Sequence, residues 1–156
     1  MIDELYSARI LKLAANLPHS GRLALAEGTG ERVARLCGSK ATVDVTLDAA
    51  GCVLAFAQDV KACALGQAAA GVLGESVIGA SLDELVAARD AMSAMLKASG
   101  DGPTDRFEGL RALKQVADYP ARHASTMVAI EATVDAMRQA LARKSPDTRT
   151  SLAGAA

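Results

Sequence analysis

The sequence predicts an α+β fold, with helices packed on one face of a small antiparallel three-stranded sheet. Two observations carry that expectation. Residues 39–47 alternate strictly, with Val43, Val45 and Leu47 on one face and Thr42, Asp44 and Thr46 on the other. The turn Asp48-Ala49-Ala50-Gly51 then leads into a second strand over 52–61, and everything after it has helical periodicity. Strands first and helices afterwards place the helices together against an antiparallel sheet.

The elements follow in order. Residues 3–17 read as an amphipathic helix, with Tyr6, Ile10, Leu13 and Leu17 at helical spacing and Asp3 as N-cap. Pro18 ends it, and His19-Ser20-Gly21 forms a turn. Short extended pieces are expected at 22–26 and 32–36, separated by Gly28-Thr29-Gly30. After the two strands a helix rich in alanine and glycine covers about 64–78, and Gly79-Ala80 breaks it. Ser81-Leu82-Asp83-Glu84 has the form of a capping box, opening a helix that runs to about 97. Ser99 to Pro103 is a loop, and 106–117 is a short helix. Tyr119-Pro120 opens the last helix, to about 142, with a core stripe of Met127, Ile130, Val134, Met137 and Leu141. Residues 1–142 are expected to form one domain, followed by a disordered tail over 143–156.

Composition narrows the function. Of the 156 residues 51% are hydrophobic, but aromatics are only 3%, so the core packs with small side chains. A net charge of −1, no basic stripe and little stacking surface argue against a nucleic acid partner. The longest apolar run, near 62–74, is too short to span a membrane. Three cysteines without framework spacing point to reduced thiols in the cytoplasm.

Those cysteines are the candidate chemistry. With a four-residue turn, Leu47 pairs with Cys52, and the register followed back sets Cys37 opposite Ala62, beside Cys63. Neighbouring strands lie about 5 Å apart, close enough for two thiols to share one metal ion. A bulge would shift that register by a residue. Cys52 falls at the other end of the strand, roughly 35 Å away if the strand is straight, and reads as structural. Cys37 precedes Gly38, which permits close approach of a ligand. Cys63 opens a helix, whose positive end attracts an anion. His123, four residues before Met127, faces inward and is a candidate third ligand; it can equally be a helix-end residue with a satisfied hydrogen bond. His19 reads as structural. A hydrolytic site is disfavoured because no oxyanion motif or orienting partner for His123 is present. The helix over 64–78 lacks the phosphate-binding GxxxxGK[ST] pattern.

Taken together the residues resemble the IscU, NifU N-terminal and SufU family of iron–sulfur cluster assembly scaffolds, over about residues 4–142. The similarity is carried by Leu5-Tyr6-Ser7 with Leu11 and Leu13, by Pro18-His19-Ser20-Gly21-Arg22, and by Leu36-Cys37-Gly38. Lys61-Ala62-Cys63-Ala64, Gly79-Ala80-Ser81-Leu82-Asp83-Glu84 and Arg122-His123-Ala124 complete it. The resemblance implies a SufE/IscU-like fold and a non-enzymatic protein. Cys37 and Cys63 would be ligands to a [2Fe–2S] cluster or iron, His123 would be a possible further ligand, and the partners would be a cysteine desulfurase and apo iron–sulfur acceptor proteins. This chain departs from the pattern in having Ser39 where the family has Asp and Ala124 where it has a third cysteine. Asp118-Tyr119-Pro120-Ala121-Arg122 likewise does not reproduce the family's chaperone-recognition segment.

A [2Fe–2S] cluster takes four ligands. Three arrangements stay open: His123 adding to the two cysteines, a homodimer giving two cysteines from each chain, or zinc on Cys37, Cys63 and His123 with a water. An alternative is a SufE-like sulfur acceptor taking persulfide on Cys37, a loop that Ser39 fits. A further alternative is a zinc-stabilised interaction domain.

Overall fold

A computed structural model describes residues 8–15 and 17–144. Its elements, in order, are α1 (Ala8–Ala15), β1 (Gly28–Ala34), β2 (Ser39–Leu47), β3 (Val53–Lys61), α2 (Ala64–Ser76) and α3 (Leu82–Lys97). A kinked 3-10 stretch (Asp105–Asp118), a 3-10 turn (Pro120–Arg122) and α4 (His123–Lys144) follow. The strands form one antiparallel sheet in the order β1-β2-β3. Among the described residues no helix is long and apolar enough to cross a membrane.

Alternation decides which face of the sheet is covered. Ala41, Val43, Val45 and Leu47 of β2, with Phe56 and Val60 of β3, are buried on the face against the helices. α4 lies across β1 and β2, and α2 and α3 pack on α4. The expected stripe of α4 is present: Met127, Ile130, Val134 and Met137 are buried, and Leu141 packs at the edge of the core. The capping box forms as expected, with Glu84 N–H donating to Ser81 Oγ and Ser81 N–H to Glu84 Oε1.

Four expectations change. Gly28-Thr29-Gly30 does not separate two pieces; it is the first half of β1. A Cβ on Gly28 would strike the carbonyl oxygen of Ala136, and one on Gly30 that of Ala132, so the glycines let α4 lie directly on the strand. Residues 22–26 are not a strand. They cross the outer face of the sheet, where Arg22 and the Leu23 N–H both bind the Asp44 carboxylate. Asp44 and Thr42, expected on a solvated face, are therefore buried. The short helix expected over 106–117 is a 3-10 stretch, broken at Phe107. The last helix continues to Lys144, two residues past its expected end. The expected cap and first turn at Asp3 and Tyr6, and the tail from 145, lie outside the described residues.

The hairpin register also differs. A bulge between Thr46 and Leu47 pairs Leu47 with Val53, and beyond it Thr46 pairs with Ala55 and Lys40 with Lys61. The uniform turn would have set Lys40 opposite Asp59. The turn, one residue longer than expected, and the bulge each advance β3 by one residue, two in all at this end of the sheet, so the expected Cys37–Ala62 pairing does not form. Continued past the last pair, the register would set Gly38 opposite Cys63.

Candidate functional site

Three segments converge where β1 ends and β3 gives way to α2. The turn 35–38 carries Cys37. Its Gly38 has φ +74, a left-handed conformation that glycine adopts without strain and that folds the chain back into β2. Cys63 is the N-cap residue of α2, with extended backbone. Its sulfur makes no capping bond to the helix and lies 3.5 Å from Ser125 Oγ. Ser125 stands in the first turn of α4 and is fully buried.

The approach of α2 to α4 depends on Gly66. A Cβ there would lie 2.8 Å from the carbonyl oxygen of Ser125 and 2.7 Å from Ala62 Cβ. Without a side chain, the first turn of α2 sits against the first turn of α4, and Cys63 reaches Ser125.

Cys37 is exposed, and its sulfur lies 3.1 Å from Ser39 Oγ. The Ser39 hydroxyl holds the Cys37 thiol below its ordinary range. Burial opposes this, while the Ser39 N–H, the Ser125 hydroxyl and the Arg122 guanidinium reinforce it. Ser39 is itself buried, so its hydroxyl is fixed. Ser125 meets the Cys63 sulfur and stands near enough to Cys37 to influence its proton, and its own proton is directed to the Arg122 carbonyl at 3.1 Å. Its lone pairs are left for the sulfurs.

The other candidates lie elsewhere. His123 Nε2 is 2.9 Å from the Val116 carbonyl and 3.2 Å from that of Ala117. Carbonyls only accept, so Nε2 carries a proton and ties the start of α4 to the 3-10 stretch. His123 is two residues from Ser125, roughly 200° around the helix, and so faces away from it. Ala124 is exposed. Cys52 is half-buried beside the turn at the far end of β3, about 30 Å of strand from Cys63. The carbonyl of His19 accepts from Gln58 N–H, and its ring meets Phe56 edge-on. Among the described residues, no three of His, Cys, Asp and Glu gather as a metal site.

Ser125 is the residue that sequence reading missed. In Arg-His-Ala-Ser-Thr it looks like a helix-start hydroxyl, and indeed Ser125 and Thr126 both donate to the Arg122 carbonyl. Only the crossing at Gly66 puts it beside the cysteines. Two adjacent thiols, one of them exposed and held below its ordinary range, make a soft, anionic site suited to iron or zinc. Two sulfurs alone leave half of a tetrahedral shell open.

Comparisons with known proteins give the family and the fold. The family model of the NifU-like N-terminal domain matches residues 5–126. The crystal structure of a nitrogen-fixing NifU-like protein (N-terminal) from Brucella abortus is 46% identical, with a TM-score of 0.86 over 89% of this chain and 96% of that one. A protein from Fervidobacterium islandicum, described as a candidate iron–sulfur cluster assembly scaffold for the SUF system, shares the fold. Its identity is 18% and its TM-score 0.78, over 86% of this chain and 98% of that one. A hypothetical protein solved at 2.3 Å shares the fold as well, at 23% identity and a TM-score of 0.73, over 87% of this chain and 98% of that one. Among the curated proteins, none matches.

Proposed function

Since the chain belongs to the family of NifU-like N-terminal domains, we propose that it is a scaffold that holds iron or a nascent [2Fe–2S] cluster on Cys37 and Cys63. The cluster is cargo: a cysteine desulfurase supplies its sulfur, and apo iron–sulfur proteins receive it. The protein binds and passes on rather than turning over a substrate, in the reducing cytoplasm that free thiols require.

The observation that supports this reading best is that two cysteines from different segments come to one end of the sheet, Cys37 against Ser39 Oγ at 3.1 Å and Cys63 against Ser125 Oγ at 3.5 Å. Thiols must lose their protons to bind a metal. Ser39 stabilises the Cys37 anion and so favours that loss. When the sulfurs become ligands, the Ser125 proton can turn from the Arg122 carbonyl towards them. The hydroxyl then donates to charged sulfur instead of accepting from a thiol. His123 enters only through Nδ1, since Nε2 is committed to carbonyls, and the reading does not need it.

The test is anaerobic reconstitution with ferrous iron, cysteine and a cysteine desulfurase, followed by visible absorption and by iron and acid-labile sulfide per chain. Cys37→Ala and Cys63→Ala each abolish the cluster, and Cys52→Ala leaves it intact. A cluster retained in both site variants sinks the reading.

A second reading has one observation in its favour. Cys37 is exposed, and its thiol is held below the ordinary range, as suits a residue that accepts persulfide sulfur. A persulfide on Cys37 in the mass spectrum, with no cluster formed, selects that reading. Tightly bound zinc in place of either selects a zinc-binding interaction domain.

A further inference from the structure

We infer that iron is accepted at the cysteine site as an anionic chelate, steered there by a basic rim of Arg35, Lys40, Lys61 and Arg122, and not as the bare ferrous ion. The inference rests on the scaffold reading and names the form in which the metal arrives.

The whole chain carries a net charge of −1, but its cysteine end is positive. Arg35, Lys40 and Lys61 are exposed, each within three residues of a site cysteine, and the Arg122 guanidinium acts on the Cys37 sulfur. Lys40 and Lys61 are paired directly across β2 and β3, a juxtaposition of like charges that works against the sheet. Glu31 relieves it only at Lys40, from 3.5 Å. Asp59, opposite Thr42 and one pair further along the strands, is the other carboxylate beside the two lysines. Among the described residues neither Arg35 nor Lys61 has an ion-pair partner. The backbone adds to the same sign. Cys63 is the N-cap of α2 and α4 also begins here, so the positive ends of two helix dipoles meet at the site.

Such a field acts over about a Debye length, roughly 10 Å at 0.1 M salt. While the thiols keep their protons, it repels a ferrous cation. It draws in iron carried by a polycarboxylate, because ferrous citrate is anionic overall, and raises the local concentration of that complex. The transfer needs no oxidant or reductant. Iron stays ferrous, its bonds to the chelator's carboxylates break, two iron–sulfur bonds form, and the two thiol protons pass to the freed carboxylates.

The experiment mixes the full chain anaerobically with ferrous citrate or with the ferrous aqua ion, at salt from about 10 to about 200 mM. The thiolate-to-iron charge-transfer absorption gives the rate of loading. Across that range, loading from citrate should slow roughly tenfold, and loading from the aqua ion should quicken. Lys61→Glu should weaken both slopes while keeping the wild-type circular dichroism spectrum. Arg138→Glu changes the net charge equally but stands roughly 20 Å along α4 from Ser125, and should leave both slopes as in wild type. A citrate rate that does not fall with salt overturns the rim and leaves the scaffold reading standing. So do slopes unchanged in Lys61→Glu, or an Arg138→Glu effect as large as that of Lys61→Glu. No iron bound from either source overturns both the rim and the scaffold reading.

Discussion

At the scale of single residues, hydroxyl groups do what carboxylates or further thiols would otherwise do. Ser39 lies 3.1 Å from the Cys37 sulfur and lowers its proton affinity without adding charge. Ser39→Ala should return the thiol towards its ordinary range, so less of it is ionised at neutral pH. Alkylation of Cys37 by iodoacetamide, followed against pH, should shift to more alkaline pH in the variant; an unchanged profile would show that Ser39 does not control the thiol. Asp44 poses the opposite problem, a carboxylate taken out of water. Burial pushes its pKa up, but hydrogen bonds from Arg22, Thr29 and the Leu23 N–H prevail and hold it below the usual range. Because the folded value is the lower one, Asp44 stabilises the fold at neutral pH, and this contribution fades as pH falls below about 4. Asp44→Asn should cost about 2 kcal/mol at pH 7 and show a flatter loss of stability between pH 5 and pH 3. Urea midpoints at the two pH values check both. Equal acid sensitivity in wild type and variant would remove Asp44 as the cause. Ser39 stood out in the sequence beside Cys37, but Ser125 did not, since a hydroxyl gains a role only from what lies next to it. Asp44 was legible as a polar strand position, but not as a buried one.

Among the elements, the close contact of β1 with α4 matters most. Gly30 lies directly under the carbonyl of Ala132, where no side chain fits. Gly30→Ala must push the helix off the sheet, at a cost of about 1–3 kcal/mol or more, read as a lower urea midpoint. A midpoint unchanged from wild type would mean that α4 yields freely. Ser81→Ala tests a local device instead. Losing the capping box should cost about 1 kcal/mol with no effect on the cysteine site, which Cys37 alkylation would confirm. The contrast explains what could be read in advance. The capping box, the alternation of β2 and the stripe of α4 are short-range patterns, and each appears where its residues require it. Gly28-Thr29-Gly30 read locally as a break, because glycine is a poor strand former. The partner that makes glycine necessary is a helix a hundred residues later. The bulge at Thr46 and Leu47 is likewise invisible in the turn residues.

For the whole molecule, the cysteine site is an end of the sheet at which the turn after β1, the N-terminus of α2 and the first turn of α4 meet. The sequence by itself determined the two strands of the hairpin, the helices after Cys63 and Ser81 and the core stripe of the last helix, the class of fold, and the cysteines worth watching. It did so because periodicity, caps and turns are properties of neighbouring residues, and because the family's segments lie in contiguous stretches. The tertiary structure alone decided that residues 22–26 run across the outer face instead of joining the sheet. It also decided that His123 turns Nε2 to carbonyls, and that Ser125 meets the Cys63 sulfur. Each of these depends on contacts between residues far apart in the chain, fixed by where Gly28, Gly30 and Gly66 let backbones touch, and no local pattern encodes such a meeting.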